Sequence, residues 1–227
     1  MKPSLLMLHG AIGASRQLQH IAAELSANYE IHLLDFPGHG GTSLPDQPFS
    51  IALFAEATRA YIQQHNLQQL TIFGYSMGGY VAMYFAKDHP QLINSIITLG
   101  TKFHWDEATA AKEVKMLHAD TIAVKVPAFA AALEALHAPN DWKHILQRTA
   151  DMMLEMGRDN PLKPDDYKTI NIPSLIMLGD RDKMVSLEET VATYKQLPDA
   201  RMAVLPGTPH GIEQVNAALI AYLIMHQ

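Results

Sequence analysis

An α/β fold is what the sequence predicts: a mostly parallel sheet of about six strands, helices on both faces, and a helical lid inserted near the middle. Three observations carry that expectation. Short apolar runs of strand length recur along the chain with helix-compatible stretches between them. Nearly every run ends directly in glycine, aspartate or threonine, the residues that turn a chain sharply at a strand's end. One interval, from Thr101 to Thr169, breaks the alternation with helical material alone.

The strand-length runs are "SLLML" (4–8), "IHLL" (31–34), "LTIF" (70–73), "SIITL" (95–99), "SLIML" (174–178) and "RMAVL" (201–205). The stretches "SRQLQHIAAELSA" (15–27), "FAEATRAYIQQHN" (54–66) and "GGYVAMYFAKDHP" (78–90) have helical spacing. Strands apolar on both faces, alternating with amphipathic helices, indicate a parallel sheet covered on both sides. The interval 101–169 contains "DEATAAKEVKMLHAD", "VPAFAAALEALHA" and "DWKHILQRTADMMLEM". A crossover between parallel strands needs only about a dozen residues, so this interval reads as a helical insertion over the sheet's carboxyl edge. One domain spanning 1–227, with 101–169 as its lid, accounts for the chain.

Composition narrows the function. With 227 residues, 48% hydrophobic and 18% charged, the chain can bury one sizeable core. Its net charge of -6 and lack of a basic run remove the electrostatic footing of a nucleic-acid binder. No cysteine is present, so thiolate nucleophiles, thiolate metal sites and disulfides are excluded together. The opening apolar run ends at His9, too short for a signal peptide or a membrane span. A soluble, cytoplasmic protein is the expectation.

The chemistry starts at "GYSMGG" (74–79), which lies between a strand and a helix. Glycines on both sides of Ser76 suit a turn so sharp that a Cβ would clash, and such a turn lifts the hydroxyl above the sheet edge. Strand, G-x-S-x-G and helix together are the context of a nucleophile elbow. A serine hydroxyl needs a base, and the base needs an orienting acid. Of the twelve histidines, His210 follows the last strand and a turn in "RMAVLPGTPHGIEQ". In "SLIMLGDRDKMV" both Asp180 and Asp182 stand in the loop after the preceding strand. Serine, aspartate, histidine is the chain order of the triad that accompanies the elbow.

These pieces resemble the α/β-hydrolase superfamily, in particular its small lidded esterase and C–C hydrolase branch. The matching segments are "LLMLHGAIG", "LLDFPGHGGTS", "IFGYSMGGYVAMYFAKDHP", "IMLGDRDKMV" and "LPGTPHGIEQ". The family's acid pattern, Gly-x-x-Asp-x-x-Val, falls on Gly179, Asp182 and Val185, so the resemblance selects Asp182 over Asp180. It also implies oxyanion donors at the backbone N–H groups of Ala11 and Met77. The residues agree, because Met77 opens a helix and "HGAIG" is a turn at a strand's end. The family's initial antiparallel strand pair has no counterpart before Ser4, which implies an essentially all-parallel sheet. Ala11 stands where relatives often carry a bulky aromatic, which widens the acyl side of the pocket. Ser76 in the elbow disfavours aspartate-nucleophile relatives. The wording of the elbow is similar to that of a menaquinone-pathway lyase, but Tyr80 replaces the arginine usual there.

Several other features carry less. "GHGG" (38–41) lacks the residues of either phosphate loop. His9 and His39 are expected to make structural hydrogen bonds near the site. No cofactor is implied, and no ligand cluster suggests a metal. Met116, Met152, Met153 and Met156 suit either an adaptable pocket wall or the lid's own packing. Arg148 and Arg158 would recruit a carboxylate if either pointed inward. The expected activity is hydrolysis of a carboxylic ester with a small or medium apolar acyl group, the partner being that small molecule, with neither nucleic acid nor membrane. A C–C bond hydrolase, thioesterase or perhydrolase would use the same triad, and a hydrolase-fold ligand receptor would keep the residues without turnover.

Overall fold

The computed structural model describes residues 2–227 and contains one six-stranded sheet. The strands are β1 (Ser4–Leu8), β2 (Glu30–Leu34), β3 (Leu70–Tyr75), β4 (Ile93–Leu99), β5 (Ser174–Gly179) and β6 (Ala200–Leu205). Their order is β2-β1-β3-β4-β5-β6, and all five pairings are parallel. Burial explains the texture of the runs. The last four residues of β1 and all of β5 are fully enclosed, and both read as continuous apolar stretches. The edge strands β2 and β6 are half-covered, and they are the two that admit Glu30, His32 and Arg201.

Helices α1 (Gln19–Leu25) and α10 (Ala217–Met225) cover one face. There Leu5, Met7, Phe73 and Ile97 of the strands pack on Ile21, Leu25, Ile220 and Ile224. Helices α2 (Ile51–Gln64) and α3 (Met77–Asp88) cover the other face, with Leu6, Leu8, Ile72 and Ile96 packed on Phe54, Ile62, Val81 and Phe85. Neighbouring residues of one strand thus belong to opposite cores, as the two-residue period requires. A further helix, α9 (Leu187–Tyr194), connects β5 to β6 along the chain.

Between β4 and β5 the chain forms α4 (Glu107–Glu113), α5 (Ala119–Lys125), α6 (Pro127–His137), α7 (Trp142–Arg158) and the short α8 (Pro164–Tyr167). Local chemistry sets their starts. The side chains of Asp106 and Asp141 accept backbone N–H groups at the beginnings of α4 and α7, and Pro127 opens α6 where its missing N–H costs nothing. Ile122, Leu133, Trp142 and Leu146 make a small core belonging to these helices. Among the described residues no helix is long and apolar enough to cross a membrane.

Under the loops that follow β1 and β2 lies a group of buried histidines. His9 Nδ1–H donates to Gly10 O (2.7 Å), and His9 Nε2 accepts the Phe36 N–H (3.1 Å). The His39 ring stands 5.2 Å from that of His9 and 5.6 Å from that of His137, centroid to centroid. Burial pushes His9 down to about 4, against the opposing effect of its hydrogen bond to Gly10. Burial also holds His39 well below, and His137 below, the ordinary histidine value. In the unfolded chain all three regain a value of about 6.5. As pH falls below that value the unfolded chain takes up protons that the folded chain refuses, so this stability is present above about pH 6.5 and lost towards pH 4. For His9 alone the loss is on the order of 3 kcal/mol. The melting temperature is therefore expected to fall steadily between pH 6.5 and pH 4, and His9→Asn should flatten that slope. A melting temperature independent of pH over that range, or a slope unchanged in the variant, would contradict the assignment.

Candidate active site

The turn from β3 into α3 leaves no room for side chains at its glycines. Ser76 sits there at φ 51°, ψ −116°, a conformation that a side-chain-bearing residue adopts only when its surroundings hold it. The surroundings do. A Cβ on Gly74 would lie 2.4 Å from Gly79 N, and one on Gly78 would lie 2.3 Å from Leu8 O. The turn therefore rests directly on the end of β1, and only glycine fits. The Ser76 N–H donates to Leu99 O (2.9 Å), and Ser76 O accepts the Thr101 hydroxyl (3.0 Å), which ties the same turn to the end of β4.

The other two residues arrive from the loops after β5 and β6. His210 Nε2 stands 3.2 Å from Ser76 Oγ, and His210 Nδ1 stands 2.7 Å from Asp182 Oδ2. Asp182 Oδ1 accepts the N–H groups of Met184 (2.8 Å) and Val185 (2.9 Å). Burial alone would raise the Asp182 carboxyl, but its hydrogen bonds to His210, Val185 and Met184 outweigh that and hold it below the usual carboxylate value. An ionised Asp182 keeps the proton of the imidazole on Nδ1 and leaves a lone pair on Nε2 facing the serine hydroxyl. Asp180, by contrast, is exposed and accepts the Thr208 N–H (3.3 Å), so it shapes the loop without meeting His210. The back of the histidine loop is held by the Tyr75 hydroxyl, which donates to His210 O (2.9 Å).

Ser76 and His210 open into a cavity of about 680 Å³ whose wall also includes Ala11 and Met77. Met77 is the first residue of α3, so its N–H has no acceptor within the helix. The segment between β4 and β5 supplies Trp105, Leu133 and Leu136, together with all four methionines singled out in the sequence, Met116, Met152, Met153 and Met156. Trp142 instead packs inside that segment. Arg148 and Arg158 do not reach the cavity. The Arg148 guanidinium donates to Pro45 O and Gln47 O and lies over the Phe49 ring, while Arg158 pairs with Glu155 at the surface. His9 and His39 lie behind the wall and not in it.

Some wall residues were not foreseen. Tyr80 lines the cavity while its hydroxyl accepts the Leu162 N–H (2.8 Å) and donates to Asn160. Lys102, also in the wall, is paired with Glu113 (3.7 Å) and Glu189 (3.4 Å). The three residues are scattered along the chain, and nothing in their local sequence announces the group. Among the described residues no set of three or more His, Asp or Glu side chains is grouped closely enough to hold a metal ion.

Comparison with known proteins agrees with the architecture. A pimeloyl-acyl-carrier-protein methyl ester esterase of Neisseria meningitidis is 26% identical over 227 residues, covering 90% of this chain and 85% of its own. An uncharacterized protein of Mycobacterium tuberculosis is 33% identical over 95 residues, which span 42% of this chain and only 28% of that relative. Among solved structures, a thermophilic esterase from Thermogutta terrifontis superposes with a TM-score of 0.78 over 100% of this chain and 89% of its own, at 20% identity. The family model of the alpha/beta hydrolase fold matches residues 3–150, well over half of the chain. On that match, and on its all-parallel sheet with Ser76 at the turn after the third strand, this chain belongs to the α/β-hydrolase family.

Proposed function

We propose that the protein is a serine hydrolase that cleaves carboxylic esters of small or medium apolar acyl groups through an acyl-enzyme. The observation that carries this reading is the continuous relay from Ser76 Oγ through His210 to Asp182 at the mouth of an apolar cavity. In this mechanism His210 Nε2 takes the Ser76 proton as the oxygen attacks the ester carbonyl. Asp182 fixes the tautomer and stabilises the imidazolium that forms. The N–H groups of Ala11 and Met77 receive the oxyanion, each worth a few kcal/mol in the transition state. His210 returns the proton to the leaving alcohol, and a water then repeats the sequence to release the acid.

The wall supports an uncharged substrate. Its cations are Arg16 and Lys102 and its carboxylates are Glu113 and Glu213, so formal charges balance. Lys102 is already engaged by Glu113 and Glu189, and Arg148 and Arg158 are turned away. The two arginines that the sequence offered for recruiting a carboxylate are thus out of reach, and the one arginine of the wall, Arg16, is exposed and shares that lining with Glu113 and Glu213. Residues 101–169 act in this reading as the lid of a single domain, and their methionines give the wall its adaptability. The similarity to a carboxylic methyl ester esterase points the same way.

Ser76→Ala is expected to abolish both p-nitrophenyl ester turnover and labelling by a fluorophosphonate, and labelling that survives in that variant would remove Ser76 from its role. Asp182→Asn should lower kcat by about 10⁴, because the imidazole is then held in the wrong tautomer. Asp180→Asn should leave kcat within a few-fold, and the reverse ranking would move the acid to Asp180. A third expectation concerns size. Each methylene buried in the wall contributes up to about 0.8 kcal/mol, so kcat/KM should climb from acetyl to about butyryl or hexanoyl esters and then fall as the cavity fills. A flat profile, or a preference for carboxylate-bearing esters, would overturn the substrate class.

A further inference from the structure

The turn that carries the Ala11 N–H is held from both sides, and one of the two holds comes from the helices over the cavity. Its near side is fixed by the strand: Gly10 O accepts from His9 Nδ1–H (2.7 Å) and from the Gly13 N–H (3.1 Å). Its far side is Ile12, which sits at φ 52°, a left-handed conformation that β-branched residues rarely adopt. Ile12 O lies 3.0 Å from Nε2 of His137, the last residue of α6, and the other ring nitrogen, Nδ1, lies 3.3 Å from Gly40 N. A backbone N–H can only donate, so Nδ1 is the acceptor and Nε2–H is the donor to Ile12 O. His137 is fully buried, and both its nitrogens are spent on the backbone of the main fold.

The surrounding contacts make this corner a fixed point. Asn140 Nδ2 donates to Gly38 O (3.1 Å) and Thr42 O (2.7 Å). A Cβ on Gly41 would stand 2.8 Å from Ala138 O, so the backbones of the two segments are in direct contact there. The Ile12 side chain packs on the small core of the covering helices, formed by Ile122, Leu133, Trp142 and Leu146. Ile12 is thus gripped through its carbonyl and its side chain by the same helical segment, one residue from Ala11.

We propose that His137 is a positioning residue for the reaction: through its bond to Ile12 O it fixes the turn that aims the Ala11 N–H at the oxyanion, and through Gly40 it locks the covering helices to that turn. This inference rests on the serine-hydrolase reading above. It assigns the covering helices a part in transition-state stabilisation as well as in enclosing the substrate.

Three variants separate the two bonds of the ring. The side-chain amide of His137→Gln offers a donor and an acceptor about as far apart as the imidazole nitrogens, so it can serve both partners. His137→Asn places its oxygen where Nδ1 was and can accept from Gly40, but it is too short to reach Ile12 O. His137→Leu makes neither bond. With p-nitrophenyl butyrate, His137→Asn and His137→Leu should lose roughly ten- to a hundredfold in kcat, as a shifted oxyanion donor does, with KM within about twofold. The rate of fluorophosphonate labelling should fall in parallel, while its final stoichiometry at Ser76 stays complete. His137→Gln should stay within about threefold of wild type. If His137→Leu fails to give a cooperative melt, the comparison of His137→Asn with His137→Gln decides alone. Equal kcat in those two variants, or a rise in KM with kcat unchanged, would reduce His137 to a structural tie and overturn the proposal. A wild-type protein that neither labels nor turns over would instead overturn the serine-hydrolase reading.

Discussion

The close approach of the β3–α3 turn to the end of β1 is the constraint on which the rest of the site depends. Backbone touches backbone there, with no room for a Cβ at Gly74 or Gly78. That contact holds Ser76 in its left-handed conformation and sets the opening of α3 beside the turn that leaves β1. Parallel strands then do the remaining placement. Because β1, β3, β5 and β6 all run the same way, their carboxyl ends lie along one edge of the sheet, and the loops leaving them meet there. Ser76, Asp182 and His210 need no long excursions to come within hydrogen-bonding distance.

The helical segment between β4 and β5 solves a second problem. An open edge of a parallel sheet is wet, and charge developing there is screened by water. Covering it with apolar side chains lowers the local polarity, and in this molecule the cover includes four residues of adaptable shape, Met116, Met152, Met153 and Met156. The segment keeps a small core around Trp142, while Ile145, Met152 and Met156 of the same helix join the core on the sheet's face. Its contact with the sheet-bearing part is polar and specific at His137 and Asn140.

Much of this was legible in the chain itself, for physical reasons. Strands enclosed on both faces must be apolar throughout, so β1, β3 and β5 stood out as unbroken runs. Sharp turns at strand ends demand glycine, so "GYSMGG" marked Ser76. The arms of the relay were harder. Asp180 and Asp182 have the same local setting, and only the fold shows that Asp182 reaches the histidine while Asp180 binds Thr208. Side-chain direction was not legible at all. Arg148 and Arg158 occupy a helix whose two sides differ in sequence by ordinary amphipathicity, and each turned out to be committed away from the cavity. His137 carried no local signal of its contacts, because its two partners, Ile12 and Gly40, lie about a hundred residues earlier.

That separation in sequence has a consequence for how the protein comes into being. His210 lies 134 residues from Ser76 and 28 from Asp182, and it is carried by the loop after the last strand. Pairings between distant parts of a chain are slow to form, parallel ones especially, because loop entropy must be overcome first. The relay therefore exists only where β6 is paired with β5, because the loop that carries His210 leaves β6. On the serine-hydrolase reading proposed above, the Ser76 hydroxyl thus meets its base only where the sixth strand is in place.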